Sequence, residues 1–583
     1  MTSNTGPEES GVSDPKKSTL ASLAVYFERK SLIMLVLGFA AGLPNLLIFD
    51  TLSAWLREAG LSLEVIGFFA LATLSYSLKF IWAPLIDRTS VPLVTNWLGH
   101  RRSWMLVAQL IITAGLWLIA GSDPSRSLGA IAIFAVIVGF FGATQDIVID
   151  AWRIEVVDET RQGAMAASYQ WGYRVAIIVA GAVPLILAQQ FSWNFSYGVM
   201  AGLMLVGVAA VLLAPREAAH TIRPIPVGDV PSRPKLEFAE WLGRLAFILV
   251  AALIIGSGLT GKADLVVGIG KALGFAENGL SALKASFEAK PGGAFVQFGA
   301  VIVGFAVLLI ACWPIPNLPT RPGAYLAGSF GEPLKDFFNR FAGSALMILA
   351  LICFYRLADF VLNIMNPFYL DLGYSKTEIA EVRKVFGVVA SVVGVFLGGL
   401  SVARLGLIRT MVLGAFASPV SNVVFAWLAT QGGDLGALLV AIAIDNTATG
   451  YAGTALIAYM SSLTSAGFTA TQYALFSSLY ALPGKLIASQ SGRIVEAGAR
   501  AAEAGGPLSV LKGLFVTLPP ETYAAGAATA GVSPAGLGAG YVAFFIYSVA
   551  IGIFAIVLAF FVAARHKSGK VAGSGGAQEP TSA

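Results

Sequence analysis

The chain of 583 residues has two cysteines, three histidines and little charge. Lys, Arg, Asp and Glu together make up 12% of it, against roughly a quarter in ordinary soluble proteins. A length that would suit about four soluble domains therefore cannot be read that way: there is too little polar surface to cover them. Hydrophobic residues make up 56% and mean hydropathy is +0.76. This is the composition of an integral membrane protein built of helices. It excludes a soluble enzyme, a nucleic-acid binder and a disordered scaffold. Cys312 and Cys353 both fall in apolar stretches, so neither a disulfide framework nor a cysteine metal site can be drawn. His100, His220 and His566 lie in polar segments, which leaves the bilayer without a histidine for catalysis or metal binding. The net charge of +5 reports loop charge on one side of a membrane rather than affinity for nucleic acid.

Apolar runs are abundant. A spanning helix needs about 20 such residues. The runs are Ser31–Leu56, Val65–Ile86, Ser103–Gly121, Leu128–Ala151, Ala164–Ala188, Tyr197–Ala214, Leu245–Thr260, Phe295–Trp313, Ser344–Leu370, Val385–Ser401, Thr410–Thr430, Leu435–Met460, Phe468–Ser491 and Tyr541–Ala564. These predict an all-α membrane protein of fourteen spans. Basic residues cluster in the loops that an amino-in, carboxyl-in topology places in the cytoplasm, for example Arg88, Arg101 and Arg102. Two proline-rich polar stretches, Pro215–Arg244 and Pro314–Gly343, flank the seventh and eighth runs. The chain therefore reads as a cytoplasmic tail (1–30), a six-span bundle (31–214), a linker (215–343) with inserted spans at 245–260 and 295–313, a second six-span bundle (344–564) and a tail (565–583). An exterior loop at 496–540 is rich in Ala and Gly; Leu508–Val516 is either a short interfacial helix or a floppy stretch. A weak repeat supports two halves. Asp87-Arg88 and Gly99-His-Arg-Arg102 follow the second span, and Gly398-Gly399, Arg404, Gly406 and Arg409 occupy the matching turn of the second half.

The charges inside the membrane follow a pattern. Without the inserted pair, the third, sixth, ninth and twelfth spans carry none. The deep charges are Lys79, Asp146, Asp150, Arg174, Arg356, Asp359, Asp445 and Lys485, with Asp50 nearer the exterior. Each central charge costs about 2.5–3.5 kcal/mol on insertion scales. Eight are tolerable only if they face one another or a wet cavity, with the charge-free spans turned to lipid. Arg356 and Asp359 are three apart and can pair on one helix face; Asp146 and Asp150 are four apart and share a face. Arg153 stands three residues past Asp150 at the cytoplasmic rim, and Asn446 adjoins Asp445. Two six-span halves lined by opposite charges describe a rocking transporter.

At this point the chain resembles the AmpG muropeptide permeases of the major facilitator superfamily. The matching segments are Gly38-Phe-Ala-Ala-Gly-Leu-Pro44, Lys79-Phe-Ile-Trp-Ala-Pro-Leu-Ile-Asp-Arg88, Gly99-His-Arg-Arg-Ser-Trp104, Thr144-Gln-Asp-Ile-Val-Ile-Asp-Ala-Trp152, Gly172-Tyr-Arg174, Tyr355-Arg-Leu-Ala-Asp359 and Ala470-Thr-Gln-Tyr-Ala-Leu475. The resemblance implies a major facilitator fold in the bacterial inner membrane. It also implies proton-driven import of anhydromuropeptides, GlcNAc–anhydroMurNAc with or without a peptide, during cell-wall recycling. The chain departs from the family in its two inserted spans and in Ala403, where the second repeat would carry an acid. Acetyl-CoA transporters of the same branch are the runner-up.

Such a substrate carries carboxylates and sugar hydroxyls. Lys79, Arg174, Arg356 and Lys485 suit the carboxylates, with structural pairing to the aspartates as the alternative. Gln145, Tyr173, Tyr355 and Asn446 complete the expected substrate set. Asp445 and Asp359 are the first candidates for proton coupling by depth, and Asp146 the third. Asp87, Arg88, Arg101 and Arg102, with Asp150 and Arg153, are read as a cytoplasmic gate latch, the alternative being simple positive-inside anchoring. Trp152, which ends a span, is expected to anchor at the interface. No cofactor or metal is expected beyond the proton gradient, and no partner beyond substrate, protons and lipid; the chain is expected to act as a monomer. An intramembrane acyltransferase would need a deep histidine, and a channel would use rings of like charge. A transport-dead sensor of the same fold stays open.

Overall fold

The computed structural model describes residues 25–59, 74–158, 161–217, 230–260, 263–289, 293–313, 315, 319–361, 364–375, 378–379, 381–488, 491–519 and 521–567. Among these every regular element is helical. Among the described residues ten helices are long and apolar enough to cross a membrane, or eleven if the pair Arg321–Arg340 and Ala345–Asp359, bent by 106°, is counted as one span. The first half contributes α1 (Arg29–Leu46), α2 (His100–Ala120), α3 (Leu128–Glu155), α4 (Gln162–Gln190) and α5 (Trp193–Leu213). The inserted pair is α6 (Pro234–Thr260) and α7 (Gly293–Cys312), followed by the short amphipathic α8 (Glu332–Arg340). The second half contributes α9 (Ala345–Phe354), α10 (Gly387–Leu405), α11 (Leu407–Leu428), α12 (Leu435–Ser462) and α13 (Thr469–Ala488). Helix α14 (Ser491–Glu503) precedes α15 (Pro534–Lys567).

Fourteen spans are consistent with this arrangement. Part of the second span, and Asn363 in the seventh, lie outside the described residues. Among the described residues the first, second and seventh of the twelve main spans are broken into pieces. The first carries Pro44, which has no N–H to donate, and passes into a π-helical stretch at Leu47–Thr51. The second stops at Leu78, makes a tight turn at Lys79–Ile81 and restarts at Ala83, with Pro84 in the first turn where a missing N–H costs nothing. The seventh breaks at Tyr355 and Arg356 and resumes as Leu357–Val361. Lys79 and Arg356 thus sit at discontinuities, where unwound backbone is tolerated only if protein or a wet cavity surrounds it.

The spans read as free of deep charge each show apolar side chains on the surface. Trp117 on α2, Leu205 on α5, Val420 on α11 and Phe554 on α15 are all exposed on the protein surface. Inside each half, small residues allow close crossings. A Cβ on Gly172 of α4 would collide with the Leu35 carbonyl oxygen of α1, and one on Gly394 of α10 with the Thr447 carbonyl oxygen of α12. Gly172→Ala should therefore force the helices apart at a cost of about 1–3 kcal/mol. Gly181→Ala on the same helix, which faces open space, should be silent. Size-exclusion profiles of the two variants check this.

Two expectations need correction and one open alternative is decided. The inserted run expected at Leu245–Thr260 starts earlier: α6 begins at Pro234, because the stretch before the apolar run continues the same helix. The Arg244 guanidinium caps α7 by donating to the carbonyls of Ala311 and Trp313. Much of the expected linker is thus helix: α6 packs along α7, and Phe305 of α7 stacks on Phe80 of the first half. The exterior stretch 496–540 follows the first of its two readings, with a short helix over most of 508–516. It continues α14, forms a tight helix at Pro507–Phe515, then Ala524–Ala530, and α15 starts at Pro534. Tyr523 locks it down by donating to the carbonyls of Asp371 and, through its hydroxyl, Ala429. Trp152 is not an interfacial anchor; it is fully buried and its indole N–H donates to the Pro215 carbonyl.

Candidate functional site

The two halves meet along a seam that is closed at its cytoplasmic end. Asp87, 1% exposed, caps the start of α13 in the other half. It accepts from the Ala470 N–H at 3.2 Å, the Thr471 N–H at 2.7 Å and the Thr471 hydroxyl at 2.6 Å. A carboxylate at a helix N-terminus meets unsatisfied donors and the positive end of the dipole. Arg101 holds that carboxylate in place at 2.8 Å and bonds Glu155 at 2.7 Å. Arg88 reaches out of the first half as well, to Glu332 at 2.9 Å and the Gly328 carbonyl at 3.1 Å, and lies over the Phe468 ring. Arg153 donates to Ser461 of α12 at 3.0 Å and stacks over Tyr473 of α13. The expected latch residues Asp87, Arg88, Arg101, Asp150 and Arg153 are therefore brought together. Arg102 is not among them. It donates to the carbonyls of Val211 and Leu212 and caps the end of α5 within its own half.

Helix α8 braces the same end. Asp336 accepts from Ser465 at 2.7 Å, Gln472 at 3.1 Å and Arg340 at 2.9 Å. Burial disfavours the charged form of Asp336, but the Ser465, Gln472 and Arg340 donors outweigh it and hold the carboxyl below its usual range. A group depressed in the folded state stabilises above its unfolded value and loses that contribution as pH falls through the folded one. Purified protein should hence lose stability in acid in part through this brace. Asp336→Asn should reduce that acid-dependent loss, measured as thermal stability against pH.

Above the seal lies a ladder of charge. Lys79 stands 3.9 Å from Asp150, which Arg153 also approaches at 3.4 Å. Asp146 lies one turn higher on α3, and among the described residues its Oδ1 has no hydrogen-bond partner. Gln145 is fully buried and donates to the Ala40 carbonyl. In the second half Arg356 pairs with Asp359 at 2.8 Å, Ser418 donates to the other Asp359 oxygen, and Ser421 donates to Asp445 at 3.2 Å. Asn446 donates to the Ile442 carbonyl of its own helix. With 1.5 Å rise per residue, Asp445 lies about 15 Å from the exterior start of α12 and Asp146 about 27 Å from that of α3. Exposure falls along the same direction. The side chains of Arg356 and Asp359 are 20% and 12% exposed, those of Lys79 and Asp150 10% and 8%, and that of Arg153 0%. The wet side of the seam is the exterior one.

At mid-depth two arginines face each other. Arg174 on α4 is close enough to Arg356 across the seam to feel its charge, with Tyr480 near both. Among the described residues Arg174 has no acidic partner. Gln170, one turn before it, bonds Thr454 of α12 at 3.3 Å. Gly453 leaves the space into which Gln170 and the Arg356 guanidinium project. Arg174 without an acidic partner among the described residues, beside an Arg356 already paired to Asp359, suits a carboxylate. Tyr173 borders Asp146. Tyr355 does not face this cleft: it is 1% exposed and its hydroxyl donates to the Met411 carbonyl, so in this conformation it is a core residue. The Lys485 backbone lies on α13.

Sequence reasoning missed Glu155, Gln170, Ser418, Ser461 and Thr471 as partners of the charges. Thr471 carried a signal, since Thr at a helix start is a natural neighbour for a capping carboxylate; the others are polar residues whose facing is decided by packing.

The profile described as Major Facilitator Superfamily matches residues 34–305. The chain is 28% identical over 463 residues to a protein named putative transporter AmpG 4 from Rickettsia conorii, covering 79% of this chain and 88% of that one. It is 28% identical over 478 residues to the anhydromuropeptide permease of Escherichia coli K12, covering 82% of this chain and 76% of that one. Its fold is similar to that of a solved proton:xylose symporter of the major facilitator superfamily, with a TM-score of 0.52, 10% identity and coverage of 93% and 96%.

Proposed function

We propose, for a chain that belongs to the major facilitator superfamily as an AmpG-type multi-pass transporter of the inner membrane, that it imports anhydromuropeptides into the cytoplasm in symport with protons. The observation that carries this reading is the pair Arg174 and Arg356. One comes from each half, they face each other across the seam, and Arg174 has no acid to neutralise it among the described residues. A solute bearing a carboxylate relieves that repulsion and joins the two halves, which is the contact a rocking cycle requires. The permease name of the Escherichia coli relative supports the substrate class. Sugar hydroxyls would find acceptors and donors in Gln170 and Tyr480. Asp146, Asp359 and Asp445 are the carboxylates available to the proton, and the closed cytoplasmic end gives the state that receives solute from outside.

The test is uptake of labelled anhydromuropeptide into vesicles carrying the protein, with and without an imposed pH gradient. Accumulation that needs the gradient and is competed by unlabelled muropeptide, but not by acetyl-CoA or simple sugars, supports the proposal. Competition by acetyl-CoA instead would assign the site to another anionic solute, and accumulation indifferent to the gradient would remove the proton.

A further inference from the structure

We infer that Lys79 is a positioning residue that transmits the protonation of Asp146 to the cytoplasmic seal, through Asp150 and Arg153, rather than a substrate ligand. The inference rests on the proton-coupled reading above.

The geometry forms a relay. Lys79 sits at a break in its helix, so its side chain is not tied to a helical ridge. Its Nζ is 3.9 Å from Asp150, which is longer than a made ion-pair hydrogen bond. Lys79 also interacts with Asp146, one turn up the same face of α3. Asp150 is shared: Arg153 approaches its other oxygen at 3.4 Å, again long. Arg153 spends its remaining reach across the seam, on Ser461 at 3.0 Å and on the Tyr473 ring. One carboxylate thus divides its charge between two cations, and the second of these closes the seam.

Of the three candidate carboxylates, Asp146 is the one with a buried oxygen left without a hydrogen-bond partner among the described residues. It is 8% exposed. A buried carboxylate so placed is costly as an anion. By contrast Asp359 is held by Arg356 and Ser418, and Asp445 by Ser421. The groups that face Asp146 are Lys79, Asp150 on its own helix, Tyr76, Tyr169 and Tyr173 from the first half, and Tyr473 from α13. Lys79 is the cation among them.

With Asp146 neutral, Lys79 stays toward Asp150, the Asp150–Arg153 contact stays loose and Arg153 keeps its bond to Ser461. When Asp146 loses its proton, the new anion draws Lys79 off Asp150. Asp150 then belongs to Arg153 alone. That pair shortens and pulls the guanidinium back into the first half, off Ser461 and Tyr473. The cytoplasmic seam loses a cross-link at the moment the proton leaves. No bond is made or broken apart from the transfer of one proton from Asp146 to water.

The test follows the seam directly, with no solute. In full-length protein in nanodiscs, with Cys312 and Cys353 replaced, spin labels go on Asp158→Cys and Ala466→Cys, exposed cytoplasmic positions on either side of the seam. The parent should shift from short to long distances as pH rises, by at least about tenfold in the ratio of the two populations. Asp146→Asn should stay short at every pH. Lys79→Gln should lose the pH response, and Lys79→Arg should restore it. A Lys79→Gln protein that opens with pH like the parent overturns the relay. So does an Asp146→Asn protein that still opens, which decides the matter even if Lys79→Gln does not fold. A wrong solute would spoil vesicle uptake but not this measurement, so the two failures are distinguishable.

Discussion

Asp87→Ala should leave the protein inserted but unable to keep its cytoplasmic end shut, with uptake lost. Asp87 makes three bonds across the seam, to Ala470 and Thr471, and these must break when the halves part. Hydrogen bonds to a charged group contribute about 1.5–3 kcal/mol each, so the closed state should be disfavoured by at least about a hundredfold. The Arg101 contact lies within the first half and survives opening, so it adds a folding cost rather than a bias between states. Labelling of a cysteine placed at exposed Ala466 should rise in Asp87→Ala. Thr471→Ala, which removes a hydroxyl but keeps both backbone donors, should shift the equilibrium less. Labelling unchanged from the parent would show that the cap does not hold the gate.

Arg174→Ala should abolish import at ordinary substrate concentration while membrane abundance stays normal. Abundance is expected to hold because Arg174 has no acidic partner among the described residues, so its removal strands no buried anion. Loss of a charge-assisted contact to a carboxylate should raise the concentration for half-maximal uptake by about 10- to 100-fold. Arg174→Lys should recover only part of this, since an ammonium cannot make the forked contact. Arg356→Ala provides the contrast. It leaves the partly buried Asp359 without its cation, and stranding one partner of an ion pair is destabilising, so abundance should fall together with transport. Full uptake by Arg174→Ala would take that residue out of the site.

Much of the site was legible because charge in hydrocarbon is expensive. Lys79, Asp146, Asp150, Arg356 and Asp359 could be named from position alone, and the Arg356–Asp359 spacing already implied the pair that forms. Roles were less legible. Arg101 and Arg102 are adjacent and chemically identical, yet one closes a triad with Asp87 and Glu155 and the other caps α5; successive residues on a helix point about 100° apart, and only the packing says toward what. Tyr355 looked like a ring for sugars beside a cavity arginine, but the break in its helix turns it into the core. The inserted spans showed as apolar runs; that α8 beyond them braces both halves did not, because its partners Arg88 and Gln472 are far away in sequence.

Composition and the period of charge along the spans were enough to point to a helical membrane protein of two pseudo-repeated halves with its ions turned inward. Those features follow from the cost of placing charge in hydrocarbon, which acts on each segment wherever its neighbours lie. Which end of the seam is shut, which carboxylate is left without a partner and which arginine crosses between halves came only from the tertiary structure. These depend on contacts between residues hundreds of positions apart, and no local pattern records them.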